Sequence, residues 1–202
     1  GFTVTERPRL PWCHILANPV FGTMVSDQAL GFTWAVNSRE NKLTPWLNDV
    51  ASDNRGEMLL LRAAGRVTDL IWGSRAVYGD GFARYEGCAG EVAATVTVRV
   101  PEKGMWKRVE AELENRGEET LDMQLAYYTE PVLGVNRGAA RFTKARWQEG
   151  ALYLHNPFAA VGGSMVLTAL GGADGCDCDR GGFLCGVWGG GTLAPVPDPC
   201  AA

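Results

Sequence analysis

The 202-residue sequence is short of most features that would disclose a function. No apolar run reaches the roughly 18 to 20 residues of a membrane span; Met58-Leu59-Leu60-Leu61 and the stretch Val161 to Leu170 are the longest. Basic residues are neither in excess nor clustered: nineteen Lys and Arg stand against twenty-three Asp and Glu, for a formal charge of -4. That excludes a nucleic-acid backbone binder, which needs a basic patch or stripe. The two histidines, His14 and His155, have no partners at catalytic or metal-binding spacing. There is no Gly-x-Ser-x-Gly elbow and no Gly-x-x-x-x-Gly-Lys-Ser/Thr phosphate loop. No basic, apolar and small-residue succession of a secretory leader follows Gly1, so a cytoplasmic setting is expected. Apolar residues at helical spacing are also missing.

What is abundant is glycine, 26 residues, nearly twice the roughly 7% of average proteins. That density of turn formers favours an all-β fold. The strongest pattern is Val92, Ala94, Val96, Val98 and Val100 alternating with Ala93, Thr95, Thr97 and Arg99, which predicts a half-buried strand. Val109, Ala111 and Leu113 alternate with Glu110, Glu112 and Glu114, and after Asn115-Arg-Gly117 the alternation resumes at Leu121, Met123, Leu125 and Tyr127. Three successive antiparallel strands are predicted here. The three glutamates fall on one solvated side, so they read as a solubilising face and not as the opposed carboxylate pair of a glycosidase. Further strands are expected at Phe21 to Ser26, Phe32 to Val36, Glu57 to Arg62, Arg66 to Trp72, Ala151 to His155, Met165 to Leu170 and Phe183 to Trp188. About ten short strands without internal repeat or linker predict a single domain over residues 1–202, a large sandwich of two antiparallel sheets. Both ends read as cuts in a longer chain, and a truncated sheet edge would favour self-association.

Six cysteines, Cys13, Cys88, Cys176, Cys178, Cys185 and Cys200, are too irregularly spaced for a disulfide framework and read as reduced thiols. Asp174-Gly-Cys176-Asp-Cys178-Asp179, with Cys185 seven residues on, has soft-metal ligands but not the paired-knuckle spacing of zinc motifs. Buried or incidental thiols are the expectation, with no metal. His14 is expected to be structural, as is His155 at a strand end.

One stretch breaks the strand pattern: Trp34, Asn37, Arg39, Glu40, Asn41, Trp46, Asn48 and Asp49 lie on a strand running into a long loop. Sugars offer apolar CH faces to stack on indole rings, and hydroxyls to pair with planar amides, carboxylates and guanidinium groups. These eight residues supply that mixture. The alternative is that Trp34 and Trp46 anchor the core while Arg39 and Glu40 pair with each other or with backbone.

The same residues carry a family resemblance. Pro11-Trp12, Ala17-Asn18-Pro19-Val-Phe21-Gly22, Gly31-Phe-Thr-Trp34 and Asn37-Ser-Arg-Glu-Asn41-Lys-Leu-Thr-Pro-Trp46-Leu-Asn48-Asp49 open it. Gly56-Glu57, Gly81-Phe-Ala-Arg84-Tyr85-Glu86 and His155-Asn156-Pro157-Phe158 continue it. Together they resemble the amino-terminal domain of the cellobiose and chitobiose phosphorylase family, in particular cyclic β-1,2-glucan synthases and β-1,2-oligoglucan phosphorylases. The resemblance implies a β-supersandwich similar to galactose mutarotase, followed in the parent by an (α/α)6 catalytic barrel. It also implies inversion without a cofactor: an aspartic acid of the barrel protonates the glycosidic oxygen while inorganic phosphate, a co-substrate of the parent, attacks the anomeric carbon. The implied partners are a β-linked glucan or disaccharide, the chain's own barrel, and a second copy in a homodimer. No catalytic residue falls within residues 1–202, so this portion alone is expected to be inactive. A free-standing carbohydrate-binding module is the alternative. A mutarotase-like enzyme would need a His and a carboxylate converging on one pocket.

Overall fold

The computed structural model describes residues 1–6, 9–46 and 55–178, and among these described residues turns separate fourteen strands. They are β1 (Phe2–Val4), β2 (Cys13–Asn18), β3 (Phe21–Ser26), β4 (Phe32–Ala35), β5 (Glu57–Ala63), β6 (Arg66–Asp69) and β7 (Arg75–Gly79). After these come β8 (Phe82–Ala89), β9 (Val92–Arg99), β10 (Arg108–Asn115), β11 (Met123–Thr129), β12 (Lys144–Gln148), β13 (Ala151–His155) and β14 (Ser164–Thr168). One short 3-10 helix, Arg137–Phe142, is the sole helix among the described residues, and it is far too short to cross a membrane. The strand predicted at Phe183 to Trp188 lies outside the described residues.

Pairing is antiparallel throughout. The ladders form one five-stranded sheet, β1-β7-β8-β9-β10, and three three-stranded sheets, β11-β5-β6, β2-β3-β4 and β12-β13-β14. The all-β sandwich expected from the alternation is therefore what forms, although its ladders are divided among four sheets among the described residues. Five strands, β1, β2, β7, β8 and β12, were not anticipated.

The core sits where the side-chain alternation says it must. Val92, Ala94, Val96 and Val98 of β9 face inward with Tyr85 of β8 and Ala76 and Tyr78 of β7, all buried. Opposite them lie Leu16 and Val25 from β2 and β3 and Leu59, Leu61 and Ala63 from β5. Each fully buried side chain of this kind contributes about 1.5–3 kcal/mol. The run Met58-Leu59-Leu60-Leu61 is buried on both faces of β5, which explains why it does not alternate. A second cluster, Phe21, Ala35, Leu43, Leu133 and Leu154, seats the β12-β13-β14 sheet against β3 and β4. On the outer face of β10 the glutamates point to solvent as expected, with Glu110 paired to Arg108 and Glu114 to Arg116.

Tyrosines tie the sheets together. Tyr85 Oη donates to Ser26 O at 2.9 Å and Tyr78 Oη to Trp12 O at 3.0 Å. His14 stacks on Tyr78 and sits 3.0 Å from Gly79 O through Nε2, a structural role. Burial, more than any neighbouring charge, raises the phenols of Tyr78, Tyr85 and Tyr127 above their ordinary 10.0 and pushes Tyr128 up to about 12. The native state thus holds these protons more tightly than the unfolded chain. Stability is intact below about pH 10 and falls as pH rises through the native values. We expect the four phenolates to appear together with loss of the β-sheet circular dichroism signal above pH 10. Independent ionisation near 10 with the sheet signal retained would contradict their burial.

Candidate functional site

β4 ends because the chain turns sharply at Val36. Asn37 N donates to Ala35 O at 2.7 Å, and Val36 is held at φ 65°, a region that disfavours a β-branched residue. Val36 N donates to Val20 O, which anchors the turn to the end of the β2-β3 hairpin. Strain of this kind costs on the order of 1–3 kcal/mol and persists only where surrounding contacts enforce it.

The loop that follows is built by two asparagines. Asn37 Oδ1 accepts from Arg39 N and Glu40 N, both at 2.9 Å, and folds the exposed tip. Asn41 is buried; its Nδ2 donates to Ala35 O and its Oδ1 accepts from Gly163 N. Both polar atoms of Asn41 are therefore engaged with backbone, and its contribution is to the shape of the loop. Lys42 bridges Trp34 on one side and Gly134 on the other, and its Nζ donates to Arg39 O and Val135 O. Burial, ahead of the opposing pull of Glu40, lowers the Lys42 pKa. Arg39 and Glu40 form an exposed ion pair with Nε and Oε1 3.4 Å apart, worth about 0–1 kcal/mol, so either can turn to another partner at little cost.

The two tryptophans are placed differently. Trp34 is half-buried and its ring lies flat on Gly22 of β3, where an added Cβ would come within 2.3 Å of the indole. Trp46 stacks on Phe32, with centroids 5.4 Å apart and planes 15° from parallel, and stays 42% exposed. Phe32 also meets Trp34 at 5.0 Å. The rings thus form a row in which Phe32 is buried and Trp46 is partly exposed. Asn48 and Asp49 lie outside the described residues.

Behind this row is a polar cluster that the sequence reading did not single out. The Glu57 carboxylate, 1% exposed, accepts from Thr33 Oγ1 at 2.6 Å and Thr44 Oγ1 at 2.7 Å through Oε1. Its Oε2 is paired with Lys107 Nζ and accepts from Tyr127 Oη. Lys107 also donates to Thr33 Oγ1 at 2.9 Å and lies 3.4 Å from Leu30 O. The signal was present: Glu57 shares strand parity with Leu59 and Leu61, and Lys107 with Val109, Ala111 and Leu113, so both charges had to face inward.

The remaining candidates stand apart. Cys176 and Cys178 are exposed, not buried, with Sγ atoms 3.7 Å apart. Desolvation, then the neighbouring Cys176 and Asp177, pushes the Cys178 thiol up to about 11. No group of three or more His, Cys, Asp or Glu able to hold a metal occurs among the described residues. Asp179, Cys185 and Cys200 lie outside them. His155 meets Ser164 Oγ at 2.9 Å across the β13-β14 ladder.

The site is thus an aromatic row beside an amide-built loop on an all-β sandwich. The sequence pattern of the glycosyl hydrolase 94 supersandwich domain matches residues 2–195, and the chain belongs to that family. It is also similar to a cyclic beta-(1,2)-glucan synthase, NdvB of Rhizobium meliloti (strain 1021), with 29% identity over 169 residues. That match covers 76% of this chain and 6% of the relative, so the chain spans a small part of the length of the protein it resembles.

Proposed function

We propose that this domain is the amino-terminal, sugar-contacting part of an inverting β-glucoside phosphorylase or cyclic β-1,2-glucan synthase. Membership of the glycosyl hydrolase 94 family and the similarity to a β-1,2-glucan synthase support the substrate class. The observation that carries the reading is Trp46, which stacks on Phe32 and yet stays 42% exposed. A pyranose stacks on an indole ring through its axial CH groups. Arg39 and Glu40, weakly paired at the loop tip, supply charged hydrogen-bond groups for ring hydroxyls, with Asn37 and Asn41 fixing where that tip stands. Trp34, pressed on Gly22, supports the row from the other end. Glycosyl transfer to phosphate belongs to the barrel of the longer protein, with the loop from Asn37 to Asp49 shaping the active-site entrance and the contact of a homodimer.

Ligand-observed NMR with sophorose, longer β-1,2-glucans, cellobiose and laminaribiose tests this. Saturation transfer to a β-1,2-linked glucan is expected, and Trp46→Ala should weaken binding about tenfold, the equivalent of one lost stacking contact of roughly 1–1.5 kcal/mol. Binding that is indifferent to Trp46→Ala, or no binding by any sugar of the panel, overturns the reading.

A further inference from the structure

We propose that Glu57 is the positioning residue for Trp46, acting through Thr44; the inference rests on the reading of Trp46 as a sugar platform. The Glu57 carboxylate gathers four donors from separate segments: Thr33 on β4, Thr44 in the loop, Lys107 ahead of β10 and Tyr127 on β11. Two carboxylate oxygens offer about four acceptor sites, and all four are used here. Burying such a charge pair is no efficient route to stability, since apolar residues of equal volume commonly do as well. What the cluster supplies is a fixed location for each of its donors.

Thr44 turns that location into the position of an indole ring. Its Oγ1 accepts from Thr33 N at 2.8 Å while donating to Glu57, so its hydroxyl is held from both sides. Leu43 N donates to Thr33 O at 2.8 Å, which aligns this part of the loop with β4. The next residue, Pro45, has a fixed φ, and it packs on Gly56, where an added Cβ would lie 2.6 Å from Pro45 Cδ. Between the Thr44 hydroxyl and the Trp46 ring the Pro45 φ is fixed by its own ring, and Phe32 then stacks on the indole 15° from parallel.

The test labels the seven tryptophans with 5-fluorotryptophan and follows Trp46 by 19F NMR, its resonance assigned by Trp46→Phe. Thr44→Val keeps the volume and the Glu57–Lys107 pair but removes the hydroxyl. It should move the Trp46 resonance, leave that of Trp34 in place, and weaken β-1,2-glucan binding about three- to fivefold, a part of the loss expected when the ring is removed. Thr44→Ser should restore both. An unmoved Trp46 resonance in Thr44→Val overturns the inference. If Thr44→Val does not fold, Glu57→Met/Lys107→Met decides instead: the Trp46 resonance shifts if Glu57 positions the ring, and an unshifted one overturns the inference. Absence of glucan binding by the wild-type chain would defeat the sugar-platform reading, while the resonance would still decide what positions Trp46.

Discussion

Lys107→Met is expected to destabilise the fold by about 3–5 kcal/mol, because it leaves the Glu57 carboxylate buried without its cation. The Lys107 side chain is 8% exposed and that of Glu57 1%, so water has little access to compensate. Thr33, Thr44 and Tyr127 would still donate to the carboxylate, but three neutral hydroxyls do not replace a full charge. Domains of this size are stable by only about 5–15 kcal/mol, so the single variant should lose a large share of its margin. Urea unfolding measures it as a fall in midpoint at constant slope. Glu57→Met/Lys107→Met should recover only part of the loss: no charge is stranded, but the hydroxyls of Thr33, Thr44 and Tyr127 lose their shared acceptor. A single-variant loss under about 1 kcal/mol would mean that solvent reaches the pair.

Gly31→Ala is expected to cost about 3 kcal/mol or more. Gly31 sits at φ 111°, a conformation that only glycine adopts at low cost. A methyl group there would lie 1.9 Å from Met24 O, on the neighbouring strand of the same hairpin. Backbone strain and overpacking each cost about 1–3 kcal/mol, and here a carbonyl fixed in β3 cannot move aside. Gly90→Ala is the comparison: Gly90 also has positive φ, 62°, but nothing lies within 4 Å of an added Cβ. It should cost only about 1–2 kcal/mol, the left-handed penalty by itself. Equal losses in the two variants, read from thermal or urea unfolding, would show that the Met24 contact relaxes freely.

The strands legible in the sequence were those with a clean two-residue period on large side chains. Phe21–Ser26 and Ala151–His155 occur with the expected boundaries, and Val92–Arg99 ends one residue early. β8 was missed because its inward side chains include the small Ala83, Gly87 and Ala89, which dilute the hydrophobic signal although Tyr85 lies among them. β12, Lys144–Gln148, was missed because it is exposed along its whole length. The loop carrying Asn37, Arg39 and Glu40 was recognisable from its residue types, yet the burial of Asn41 was not. Its partner Gly163 is 122 residues away, beyond the reach of any local pattern. The Glu57 cluster spans separations of 50 and 70 residues, so only strand parity hinted at it.

The contact of Trp34 with Gly22 has a consequence for how such sequences can change over time. These residues face each other across the β3-β4 ladder, and the indole occupies the space that any side chain at position 22 would need. Enlarging position 22 expels the ring, and shrinking position 34 leaves bare backbone that a larger neighbour could cover. Neither substitution is well tolerated without the other, whereas the exchanged pair could be. Positions 22 and 34 should therefore vary jointly among relatives, and a swap of large and small between them is the compensating path open to the lineage.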